Sequence, residues 1–119
     1  MLSTTEIHIV RLKASAGIRV TYNAQGETRS IDAVPATSTA RLVGSDGSYK
    51  EMPVDDWIVL VADLVGLTSE PKQGHTISVD GATYLVNHPD EKTPVYENFN
   101  QLDRPAKGWR IHTFNPCDR

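Results

Sequence analysis

Pro71-Lys72-Gln73-Gly74-His75-Thr76-Ile77-Ser78-Val79-Asp80-Gly81-Ala82-Thr83-Tyr84-Leu85-Val86 reads from end to end as a β-hairpin. Ile77 and Val79 alternate with Thr76, Ser78 and Asp80. Tyr84 and Val86 resume the alternation after Asp80-Gly81, a pair suited to the positive φ angles of a two-residue turn. The stretch holds no nucleophile beside a base, no glycine-rich phosphate loop and no metal-ligand spacing. It speaks for architecture and weighs against an enzyme.

Outward from this hairpin, composition narrows the classes. With 119 residues, 39% hydrophobic and 23% charged, the chain has the size of one domain with one core. Seven prolines and eight glycines spread along the chain favour short elements joined by turns. A net charge of −3 gives no basic footprint for gripping DNA. The single cysteine, Cys117, has no internal disulfide partner. Met1-Leu2-Ser3-Thr4-Thr5-Glu6 is too short and acidic to begin a signal peptide, so folding in a reducing cytoplasm is expected. The longest apolar stretch, Trp57 to Ala62, stops at Asp63, well short of a membrane span.

Ser3-Thr4-Thr5-Glu6 matches a capping box, and Ile7, Val10 and Ala14 follow at helical spacing before Gly17. The β-branched Ile7, Ile9 and Val10 make a strand the competing reading. Ile18, Val20 and Tyr22 then alternate up to the turn at Asn23-Ala24-Gln25-Gly26. Thr28 to Val34 is the partner strand, which Pro35 is expected to close, with loop or edge strand over 36–40. Arg41-Leu42-Val43 and Tyr49 to Met52 flank a second hairpin tip, Gly44 to Ser48. From Trp57 to Ala62 both faces are apolar, as in a strand covered on both sides. The region from His88 to Gly108 reads as one long excursion, and Trp109 to Phe114 closes the sheet. The expectation is a mainly β fold, a small antiparallel β-barrel or sandwich with a short N-terminal helix and a long loop before the last strand. It is one domain over 1–119: helix or arm 1–16, core strands 17–87, extended loop 88–108, closing strand 109–114 and tail 115–119.

The reactive side chains do not assemble along the sequence. His8, His75, His88 and His112 with Asp90 and Glu91 lack metal-ligand spacing, which leaves ordinary surface or half-buried histidines. Asp55 and Asp56 would point to opposite faces of a strand and read as solvated acids at its start. Ser45 beside Asp46 is turn chemistry on a solvated tip. Trp57 and Trp109 each open an apolar run and belong to the core. Arg29, Arg41, Lys50, Lys72, Lys92, Arg104, Lys107 and Arg110 are scattered, as on a solvated surface. No cofactor and no metal are expected.

Taken in order, Gly17-Ile18-Arg19-Val20-Thr21-Tyr22, Asp56-Trp57-Ile58-Val59, Pro71-x-x-Gly74-x-x-Ile77 with Gly81-x-x-Tyr84-x-Val86, and Trp109-Arg110-Ile111-His112-Thr113 resemble a bacteriophage head–tail joining protein of the head-completion or stopper kind. His75 stands where an aspartate is usual in that family, and Phe114 where a lysine is common. The resemblance implies a virion protein of the neck, made in the host bacterial cytoplasm. It also implies a homo-oligomeric ring of roughly six or twelve copies between portal or adaptor and tail-terminator proteins. Packaged DNA would pass through its lumen without sequence-specific binding, and the ring would close the channel. Contact elements are then expected on the 44–48 tip and the 88–108 loop: Ser45, Asp46, Ser48, Lys50, His88, Asp90, Glu91, Lys92, Asp103 and Arg104. A tail-terminator or minor tail protein, a small β-barrel binding module holding a peptide or glycan, and a small enzyme are the alternatives.

Overall fold

The computed structural model describes residues 1–115, so the tail from Pro116, with its thiol Cys117, lies outside the described residues. Ser3 starts the chain's helix, α1 (Thr4–Ala16). Its hydroxyl accepts from the Glu6 amide at 3.1 Å while its own amide donates to Glu6 Oε1 at 2.9 Å. Two orphan donors are thereby satisfied, and the capping box prevails over the β-branched residues behind it. The helix stops at Gly17, where a Cβ would lie 2.6 Å from the Lys13 carbonyl oxygen. Ile7, Val10 and Ala14, the residues that announced the helix, are exposed, and Thr5 and Ile9 are buried instead.

Seven strands follow: β1 (Ile18–Ala24), β2 (Glu27–Val43), β3 (Tyr49–Leu60), β4 (Thr76–Val79), β5 (Ala82–Val86), β6 (Tyr96–Asn98) and β7 (Gly108–Phe114). All pairings are antiparallel, in the order β3-β2-β1-β4-β5-β7, and β7 pairs back to β3 to close a six-stranded barrel. The turn residues behave as their composition predicts. Gln25 and Gly26 have φ of 57° and 95°, and Asp80 and Gly81 have φ of 49° and 80°, the doubly left-handed geometry of a tight hairpin.

Three boundaries differ from expectation. Pro35 does not end β2, which runs on through 36–40 as strand. The β1 pairing has already ended at Ala33, so one edge of β2 is open where the proline falls. The apolar run after Trp57 leaves the sheet at Leu60, and Val61 and Ala62 turn into a short 3₁₀ helix ending at Leu64. The 88–108 excursion holds β6, which pairs with the first half of β7 while β5 takes its end at Thr113 and Phe114.

Alternation divides the side chains cleanly. Val20, Tyr22, Ile31, Ala33, Trp57, Val59, Ile77, Val86, Trp109 and Ile111 fill the barrel. Ile58 and Leu60, on the opposite face of β3, pack outside it with Val34 beneath Ile9 of α1. The doubly apolar strand is thus covered by the core on one face and the helix on the other. Inside, the Tyr22 hydroxyl donates to Nδ1 of buried His75 at 2.7 Å. Burial, and then Lys72, lower the His75 pKa, which favours the neutral ring as acceptor. This contact ties β1 to the start of the β4–β5 hairpin.

Two substitutions test these contacts by urea denaturation. Ile9→Ala is expected to cost about 3 kcal/mol, because it empties the seam between helix and barrel. Tyr22→Phe is expected to cost about 1–2 kcal/mol, because it leaves a buried ring nitrogen without its hydroxyl donor. A loss below about 0.5 kcal/mol in either would contradict the packing described.

Candidate interaction surface

The longest strands outrun their neighbours. β1 leaves β2 at Ala33, and β7 leaves β3 at Asp55, opposite Thr113. From Ser38↔Val54 to Val43↔Tyr49 the two strands pair with each other, and no third strand of the described residues lies beside them. This arm, about 20 Å long at 3.3 Å per residue, leaves the barrel from one end and accounts for the elongated shape of 52 × 33 × 27 Å.

The two faces of the arm differ. On one, Ala40 and Val54 are buried, and Ser38 and Met52 half-buried. On the other, Pro35, Thr37, Thr39, Arg41, Val43, Glu51 and Tyr49 are all exposed. Arg41 lies 3.8 Å from the Glu51 carboxylate and 4.3 Å above the ring of Tyr49. Val43 keeps 74% and Tyr49 61% of their surface in solvent, an expensive arrangement for a strand end that nothing covers.

The tip is built by its own side chains. Asp46 Oδ1 accepts from the amide and hydroxyl of Ser48, and these bonds lower its pKa. Gly47, with φ of 85°, supplies the left-handed residue of the turn. The loop from His88 is ordered in the same way. Asp90 accepts from the amides of Lys92 and Thr93 and from the Thr93 hydroxyl, which lowers its pKa, and His88 Nδ1 donates to the Thr93 carbonyl at 2.9 Å. Residues 90–93 line a cleft of about 500 Å³ with Arg41, Leu42 and Val43, so this loop and the arm form one surface.

Of the ten residues expected to make contacts, eight lie at this end. Ser45, Asp46, Ser48 and Lys50 are exposed on the arm, and His88, Asp90, Glu91 and Lys92 sit on the loop beside it. Asp103 and Arg104 lie after β6, at the opposite end of β7, next to α1. There Asn100 hydrogen-bonds to Thr5 and to the amides of Leu102 and Asp103. Among the described residues no group of three or more His, Cys, Asp or Glu side chains converges as a metal site, and no helix is long and apolar enough to cross a membrane.

Asp56 is not the solvated acid expected of it. It is 1% exposed, and its carboxylate accepts from Arg110 Nε at 2.5 Å and from His112 Nδ1 at 2.8 Å, across the seam where β3 meets β7. Arg110 also donates to the carbonyl of Thr37 at the root of the arm. His112 Nε2 is buried 3.4 Å from the Glu97 carboxylate, inside ion-pair range but without hydrogen-bond alignment. Burial raises the Asp56 pKa, but the bonds from His112 and Arg110 outweigh it and the carboxyl titrates below its usual range. Burial likewise opposes charge on His112, yet Asp56 and then Glu97 outweigh it and raise its pKa.

Each shift contributes stability over its own side of the pH scale. The His112 contribution is complete below its unfolded value near pH 6.5 and is lost as pH rises through the raised folded value. The Asp56 contribution is present above about pH 4 and fades as pH falls through its lowered value. His75, lowered by burial, changes stability in the opposite sense to His112, so the clasp is read as a difference between proteins. Asp56→Asn is expected to cost about 3 kcal/mol near pH 5.5, by leaving the two cations without their shared anion. The gap to wild type should shrink toward pH 3 and above pH 8 in urea titrations. A constant gap would contradict the clasp.

The family model for phage head-tail joining proteins matches residues 1–116, so the match takes in the helix and all seven strands. No curated protein matches the chain. By that match and this architecture the chain belongs to the phage head-tail joining protein family, a virion component that connects head to tail.

Proposed function

We propose that copies of this chain close into a ring in the neck of the virion and act as the stopper, with the arm turned into the channel to retain packaged DNA. The observation that carries this reading is the arm itself. Two antiparallel strands with no third strand beside them among the described residues, with exposed apolar ends and an ordered tip, extend from a closed six-stranded barrel. Strand edges of this kind are satisfied by further strands, and a contact of one surface with a different one on the next copy closes into a ring when the rotation permits.

The electrostatics agree with a lumen through which DNA slides. The chain is acidic overall, so phosphate is repelled and not captured. Ser45, Asp46, Ser48 and Lys50 would line or plug the channel. His88, Asp90, Glu91 and Lys92 would meet a neighbour or the portal or adaptor, and Asp103 and Arg104, at the far end of the barrel, the opposite partner. The work is mechanical and needs no catalytic group.

A phage lacking Ser45, Asp46 and Gly47 tests the stopper role. Heads should package DNA but release it to nuclease, with titre down at least tenfold, while the same purified variant keeps its wild-type melting temperature. Full titre with nuclease-resistant DNA would contradict the role, as would a neck reconstruction in which the chain is present as a single copy or its arms point away from the channel.

A further inference from the structure

At the root of the arm the barrel has an open mouth, a cleft of about 600 Å³ separate from the one beside the tip. Its walls are apolar, from Ile18, Pro35, Val79 and Tyr84, and its floor is Trp57. The Trp57 indole stacks edge-on against Tyr84 with ring centroids 5.3 Å apart. Its Nε1–H is buried and has no acceptor among the described residues.

Charge narrows the occupant. Asp55, Asp56 and Asp80 line the cleft, and no lysine or arginine does. Asp56 is neutralised by Arg110 and His112, which leaves Asp55 and Asp80 as anions with no ion pair among the described residues. Phosphates and carboxylates are therefore disfavoured and a cation is favoured. Shape narrows it further. The β1 pairing stops at Ile18↔Ala33, so β2 has an open edge where it borders the cleft, and the exposed face of the arm continues outward from the mouth through Thr37 and Thr39. A site that runs on along a strand suits an elongated ligand with its own main-chain carbonyls.

We propose that the barrel mouth binds an extended segment of a partner polypeptide that alternates apolar and basic side chains. An apolar side chain enters between Pro35, Val79 and Tyr84, the main chain runs beside the open edge of β2, and a lysine or arginine lies against Asp55 and Asp80. This goes beyond the neck assembly, since the site is complete within one chain whether or not a ring forms.

The test uses the full chain labelled with ¹⁵N and two probes: a capped pentapeptide alternating leucine with lysine, and the same peptide with glutamate for lysine. The Trp57 Nε1–H resonance, assigned through its contacts with the Tyr84 ring, should shift and saturate with the lysine peptide while that of Trp109 stays in place. The glutamate peptide should bind at least tenfold more weakly. The pair of substitutions Asp55→Asn and Asp80→Asn, both on partly or fully exposed residues, should weaken the lysine peptide five- to tenfold with the remaining spectrum unchanged. No movement at millimolar peptide, or equal movement with both probes, would overturn the proposal. So would movement on concentrating the protein alone, because the occupant would then be a second copy of this chain.

Discussion

The pairing of β3 with β7 is the constraint on which the rest of the structure depends. It turns an open antiparallel sheet into a barrel, and it ends at a fixed point, Asp55 opposite Thr113, beyond which β3 and β2 continue as the arm. The Asp56 carboxylate, bonded to Arg110 and His112, spans that seam at the same level. Arg110 adds a bond to the Thr37 carbonyl on the third strand. The polar clasp and the root of the projecting element are therefore one piece of structure. A buried ionic cluster is a weak source of net stability, but it holds a single register, because a slipped register would strand its charges.

From that seam the molecule divides into a part that is finished and a part that is not. The barrel buries its apolar side chains inside, α1 covers the outer face of β3 through Ile9, and six strands leave no free edge between them. The arm has the reverse character: no third strand beside it among the described residues, exposed Val43 and Tyr49, and one face left bare. Natural β-proteins avoid such edges unless something pairs with them. The family implies contact with other head and tail proteins, and under the proposed function the arm with its flanking 88–95 loop is the surface offered to them.

Much of the fold was legible where the signal is local. Asp80-Gly81 between alternating strands, and the Ser3/Glu6 capping box, each specify geometry within a few residues, and both form as read. Trp57 through Leu60, apolar on both faces, announced a strand covered twice. What stayed hidden depends on pairings distant in sequence. Pro35 ends a strand only if its neighbour continues beside it, and β1 does not. Tyr96-Glu97-Asn98 has too short a pattern to read as a strand and exists because β7 leaves room for it. Asp56 looks solvated beside Asp55 until His112, 56 residues away, is brought against it. The contact surface was legible only as loops: the sequence marks the 44–48 tip, but not that the tip stands on an arm, nor which face of that arm is bare.

The central claim, which rests on the proposed function, is that a closed barrel carries an arm whose strand edges form the joint. Amide hydrogen exchange, compared between the free chain and assembled necks, tests it most directly. Barrel amides in β1, β4 and β7 should be protected to the same extent in both, while amides on the outer edges of 38–43 and 49–54 should exchange quickly in the free chain and slow by at least a hundredfold on assembly. Arm amides that exchange at the same rate in both states, with new protection confined to the barrel surface, would contradict it.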